Sequence, residues 1–263
     1  MLRKYLGLYG HMFKLNIKRT LEYKANFLIA FFTNIPLQII EFLFIWVIFQ
    51  NIRSLNGWSF YEMSLIYGMM MTCKGLADVF FDNLYEVCKH YIRNGMFDLL
   101  LIQPMNVIFN MISREFYLEA IGGTALGIGI VCFSISNLAI PFGILQIIMF
   151  VLFIICGTFI FGGLMLIATI SSLWVVDSIG VLFSIYTLHQ FALYPIQLYN
   201  VFIRIFVTAI LPYAFVSFYP ASFFLGKDNG NIALLTPLIV LAVWFVAIKS
   251  WSIALRKYSS TGS

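Results

Sequence analysis

The chain has 263 residues, of which 62% are hydrophobic and 18% aromatic, only 10% are charged, and its mean hydropathy is +0.94. An average soluble domain is roughly half apolar and about a quarter charged, so this composition excludes an ordinary soluble enzyme or nucleic-acid-binding domain and specifies an all-α integral membrane protein. The net charge of +5 then matters through its position, because Lys and Arg concentrate on the cytoplasmic side of a membrane protein.

The first predicted element is an amphipathic interfacial helix over residues 1–25. It carries six basic residues, and Leu2, Leu6, Tyr9, Phe13 and Ile17 recur every three or four positions. That is the period of a helix with one apolar face, suited to lying on an anionic cytoplasmic leaflet. No continuous apolar run of a cleavable signal peptide is visible.

Residues 26–50 form the first span, with Pro36 inside it and one acid, Glu41, about halfway through. Residues 51–59 make a polar turn, and the second span runs from about 60 to 82, its end collecting Lys74, Asp78 and Asp82. The element at 83–105 interrupts the apolar pattern. Residues 83–92 form a short helix with Leu84, Val87, Cys88 and Tyr91 on one side and Glu86, Lys89 and His90 on another. Gly95 permits a left-handed helix end, and Pro104 stops the short run that contains Phe97 and Asp98. The result is a compact cytoplasmic helix-turn-helix that exposes apolar and charged groups together, a combination suited to docking a protein.

The third span runs to about residue 136, with Arg114, Glu115 and Glu119 in its first turns and Gly123 and Gly127 in GxxxG spacing, read first as packing within the subunit. Residues 138–176 are uncharged and hold a fourth span of about 28 residues. Asp177 marks a break, and 178–203 hold the fifth span.

The last third turns on parity. Residues 205–226 and 231–248 are both long apolar stretches. Counting both gives seven spans and puts the two ends on opposite sides. Both ends are basic, with Lys249, Arg256 and Lys257 near the second, so the count should be even. The stretch at 205–226 contains Pro212 and Pro220 and follows Pro195. Proline breaks the helical ladder, and freed backbone groups survive at membrane depth only where protein or water satisfies them. Residues 195–230 therefore read as an outer re-entrant hairpin, leaving six spans, a permease domain over 26–255 and a cytoplasmic tail over 256–263. Arg53, Arg204 and Lys227 are then the only bases outside.

No catalytic constellation emerges. His11, His90 and His189 are scattered, and there is no HExxH, GxSxG, paired-carboxylate motif or phosphate-binding GxxxxGK[ST] loop. Cys73, Cys88, Cys132 and Cys156 show no metal or disulfide spacing, so no metal and no cofactor are expected on this chain. Glu41 and His189 are the candidates for a substrate path or for buried polar contacts, since ionisable residues inside a membrane carry a functional expectation.

Three stretches carry a family resemblance. "IRNGMFDLLLIQPMN" resembles the R-x-G-x-(F/L)-D-x-x-L-x-(R/K)-P-(L/M) stretch of ABC-2-type transporter permeases, with Gln103 where many members have a base. "ILPYAFVSFYPASFFLG" is similar to the family's P-x-a-f-x-x-x-x-P stretch, and "WSIALRKYSSTGS" to its W-x-x-g-L-(R/K)-x-Y-x-S-x-G. The resemblance implies an interfacial helix, six spans, a coupling helix and the outer hairpin. It implies a membrane permease, usually an exporter, in the bacterial cytoplasmic membrane with both termini inside. It works as a homodimer or with a sister permease, driven by two separate ABC ATPase subunits that hold the ATP and Mg. Arg93, Asn94, Gly95, Phe97, Asp98 and Pro104 would form the ATPase-coupling surface, with Phe97 as an apolar plug; the hairpin would hold Pro195, Arg204, Pro212 and Pro220. Two alternatives stand beside it: an ion-coupled secondary carrier working through Glu41 or His189, and a non-transporting immunity or scaffold protein.

Overall fold

The computed structural model describes residues 2–92, 96–138, 140, 143–173 and 179–258. Among them the chain is helical throughout, the one β-like pairing being a Leu55–Trp58 bridge in a turn. Helix α1 (Leu2–Glu22) precedes α2 (Lys24–Asn51) and α3 (Phe60–Phe81). The short α4 (Asn83–Glu86), α5 (Asp98–Leu101) and α6 (Val107–Ser113) follow. Then come α7 (Ile121–Leu138), α8 (Ile144–Ser171) and α9 (Ile179–Thr187). Helices α10 (Val201–Ile205), α11 (Phe218–Phe224) and α12 (Thr236–Lys257) complete the order.

Four helical stretches among the described residues are long and apolar enough to cross a membrane: Lys24–Asn51, Leu118–Leu138, Ile144–Ser171 and Gly230–Lys257. At about 1.5 Å per residue α8 is about 42 Å long, longer than the ~30 Å hydrocarbon core, so it tilts or projects. Helix α3 is long enough to span, but Glu62, Lys74 and Asp78 make it less apolar than the others. It is also the most enclosed: fifteen of its 22 residues are buried, in one run from Met63 to Cys73 and then at alternate positions.

Helix packing here does not rest on the hydrophobic effect, since lipid tails are as apolar as leucine; it rests on close backbone approach and satisfied polar groups. The glycines show this. A Cβ on Gly127 would stand 2.6 Å from the Thr72 backbone nitrogen, and one on Gly75 would stand 2.7 Å from that of Thr124. Gly68, Gly75 and Gly127 thus let α3 and α7 meet backbone to backbone, so the GxxxG of α7 packs within the subunit. The buried hydroxyls of Ser64, Thr72, Ser134, Thr158 and Thr169 each donate to the carbonyl four residues back, which removes their cost of burial.

Two expectations are refined. Arg114 and Glu115 lie in a non-helical stretch ahead of the third span, which starts at Leu118. The fifth span expected over 178–203 is no single helix: α9 ends at Thr187, a 3₁₀ turn runs through Leu188–Ala192, and a second short turn follows Pro195. Beyond it Val201–Ile210 and Tyr213–Phe224 form a pair bent by 74°. Pro212 sits at the bend, where its missing N–H and fixed φ stop the first helix. This pair is either a broken fifth span or a re-entrant loop.

The bend is held from both sides. The Tyr213 hydroxyl donates to the Ile185 carbonyl at 2.8 Å and the Ser217 hydroxyl to that of Ala192 at 2.7 Å. At the other end the 51–59 turn locks onto the same region. Asn56 and Gly57 take positive φ values of 52° and 81°, the paired left-handed geometry of a tight two-residue turn. Trp58 Nε1 donates to Gln197 Oε1 at 2.8 Å, and Lys227 bonds Glu62 at 3.0 Å while lying 3.9 Å from the Trp58 ring centre.

Candidate functional site

The element between α3 and α7 is built by interruption. Helix α4 gives way to a wider π turn over Val87–Ile92. Asn106 then starts α6, its side chain accepting from the Phe109 N–H at 3.1 Å. Leu84 and Val87 are buried while Glu86 pairs with His90 at 2.9 Å and Lys89 at 3.8 Å, the two-sided pattern read from the sequence. The Asn83 side chain donates to the Met111 carbonyl and the Thr169 hydroxyl to that of Leu84, so the element is fastened to α6 and α8. Arg114 lies 5.0 Å over the Tyr91 ring.

Of the six residues expected to form the coupling surface, Arg93, Asn94 and Gly95 lie outside the described residues. Phe97 does not project. It is completely buried, edge-on to Trp251 at 6.1 Å and to Tyr258 at 5.1 Å. The expectation of an outward plug is corrected: two aromatic partners, Trp251 and Tyr258, claim this ring from within the chain. What faces outward is Met96, Leu99 and Ile102, with Ile102 77% exposed, and Pro104. Asp98 is half-buried at the start of α5 and its carbonyl accepts from the Ile102 N–H. The sequence signal for the outward residues was present in "MFDLLLI": on a helical turn Met96, Leu99 and Ile102 share one side, and Phe97 and Leu100 the other.

Helix α1 lies beside this element. Tyr5 and Tyr9 meet Phe109, while Tyr9 and Phe13 pack edge-on against Phe116. The apolar stripe of α1 therefore packs partly on protein, and Leu6 and Leu15 stay exposed. Burial pushes the Tyr9 hydroxyl above the ordinary tyrosine pKa. Arg19 reaches Glu115 at 3.1 Å.

A second polar group lies inside. Lys74 bonds Asp78 at 2.7 Å, stands 4.7 Å over the Tyr186 ring, and the Tyr186 hydroxyl donates to Asp78 at 3.2 Å. His189 is buried next to it, its Nδ1 against the Tyr186 carbonyl and its ring among Phe161, Tyr186 and Tyr213. That is a satisfied polar contact. Glu41 lies on the exposed side of α2, with the Tyr67 hydroxyl 3.4 Å away. Glu41 is thus exposed and His189 buried. Pro195 and Pro212 start turns, Arg204 is exposed on α10, and Pro220 is buried in α11. Among the described residues no three His, Cys, Asp or Glu side chains could hold a metal ion.

A family model described as an ABC-2 family transporter protein matches residues 35–262. No curated protein and no solved structure matches the chain.

Proposed function

Because the chain belongs to the ABC-2 transporter family and is a multi-pass membrane permease component of an ABC transporter, we propose that it is the export permease of a complex driven by two separate ATPase subunits, which carry the ATP and Mg. The observation that carries this reading is the family match across nearly the whole chain. Six spans with both termini in the cytoplasm of a bacterial inner membrane remain the preferred arrangement. The basic residues of α1 and of the last turn of α12 support it, as does the 74° bend for a re-entrant hairpin.

The ATPase docks on the element between α3 and α7. Its contact is the Met96, Leu99 and Ile102 side, with Asp98 and Pro104 beside it, while Phe97 anchors the element from within. Pairing with a second permease copy or a sister permease is supported by α2. Glu41 faces outward there among exposed Leu37, Ile40 and Phe44, and a carboxylate facing lipid at mid-span costs about 2.5–3.5 kcal/mol on insertion scales. A second permease or a shared aqueous path removes that cost.

The test is co-expression with the candidate ATPase, co-purification, and transport into inside-out vesicles. ATP-dependent transport that survives collapse of the proton gradient is expected. Transport that follows the gradient with ATP held constant would replace this reading by the ion-coupled carrier.

A further inference from the structure

Two cavities lie side by side around the 115–119 segment. The outer, of about 550 Å³, opens between α1, the start of α2 and the 115–119 segment. The inner, of about 240 Å³, lies among Gln38 of α2, Lys74, Asp78 and Asp82 at the end of α3, and Gly123 of α7. Tyr117 and Glu119 line both, so they form the wall between a vestibule and a chamber.

The charges lining this route do not cancel. Arg19 is taken up by Glu115 and Lys74 by Asp78. Asp82 and Glu119 have no ion pair among the described residues, and both are half-buried. Gln38 adds a third acceptor, because its Oε1 is buried without a hydrogen-bond donor. Its carboxamide fits only because Gly123 has no side chain: a Cβ there would stand 2.5 Å from the Gln38 amide nitrogen. Two acids and an unpaired amide oxygen around a cavity call for a donor-rich cation.

A metal ion does not suit this spacing, since no three acid, histidine or cysteine side chains among the described residues come close enough to share one. An organic ammonium does. It spreads its charge over a larger radius and brings several N–H donors. The chamber already holds one: the Lys74 ammonium sits against a carboxylate and over a tyrosine ring. Asp82, Glu119 and Tyr117 offer a second carboxylate-and-ring set. Resting on the permease reading above, we propose that these neighbouring cavities open into one another past Tyr117 and Glu119 as the entry route for a substrate bearing a primary amine or similar organic ammonium group. Glu119 receives the group at the shared wall, and Asp82 and Gln38 hold it inside.

The test uses the purified full chain in detergent and dansylcadaverine, a fluorescent primary amine, with its N-acetylated, uncharged form as the comparison. Saturable binding of the amine and none of the acetylated form is expected. Asp82→Asn with Glu119→Gln should weaken binding by about tenfold or more, the loss expected of charged hydrogen bonds, whereas Glu119→Asp should hold it within a few-fold. Gel filtration of each variant separates lost binding from lost fold. Equal binding of both probes, no saturation, or full affinity in the folded double variant overturns the proposal. Neither ATP nor an ATPase enters this assay. Amine binding in a chain that neither docks an ATPase nor depends on ATP would sink the permease reading and leave the site. Docking with no amine binding would do the reverse.

Discussion

Lys74 and Asp78 stand one helical turn apart with side chains 14% and 19% exposed. At this depth the pair is sensitive to losing one partner, because the other charge is left without compensation. Lys74→Met should lower stability by about 3 kcal/mol, read as an earlier unfolding midpoint in detergent, and Lys74→Met with Asp78→Leu should recover most of it. If the single change is silent, the pair is solvated in the working protein. A phenylalanine in a polar segment looks available when its partners, Trp251 and Tyr258, lie more than 150 positions away in the chain.

Helices α3 and α7 depend on glycine at specific places, and α7 carries its own control. A Cβ on Gly127 would meet the backbone of Thr72 and Gly68, which cannot step aside; a Cβ on Gly129 would meet nothing within 4 Å. Gly127→Ala should therefore cost about 1–3 kcal/mol as an overpacked contact, while Gly129→Ala should be neutral, both measured by unfolding in mixed micelles. Equal effects would mean that the two helices do not touch along this line. The element between α3 and α7 separates two roles in the same way. Phe97→Ala empties a closed site and should cost about 3–5 kcal/mol. Ile102→Asp lies outside and should leave stability unchanged while abolishing co-purification with the ATPase. Retained docking in a folded Ile102→Asp protein would move the docking surface elsewhere.

The parity of the basic residues predicts that Lys14 and Lys257 face one compartment and Arg53 and Asp228 the other. Single cysteines at these positions, in a background lacking Cys73, Cys88, Cys132 and Cys156, should react with a membrane-impermeant maleimide from opposite sides of the vesicle. Labelling of Lys14→Cys and Lys257→Cys from different sides would make the bent pair at 201–224 a full crossing. The bent pair is apolar enough to be a span and sharply enough broken to be a loop.

Composition and periodicity determined that this is an all-helical membrane protein. They also placed the amphipathic α1, the long uncharged α8, the glycine contacts of α7 and the proline-broken stretch before α12. Each of these follows from local properties, namely side-chain transfer cost, helical repeat and the missing N–H of proline, which need no distant partner. Tertiary structure alone decided the rest. It buried Phe97 under the C-terminal Trp251 and Tyr258, broke the expected fifth span at Thr187, and turned His189 into a satisfied contact. It also gathered Gln38, Asp82 and Glu119 around one cavity. Residues far apart in the chain have no common signal along it, and which of them share a site is settled only when the helices pack.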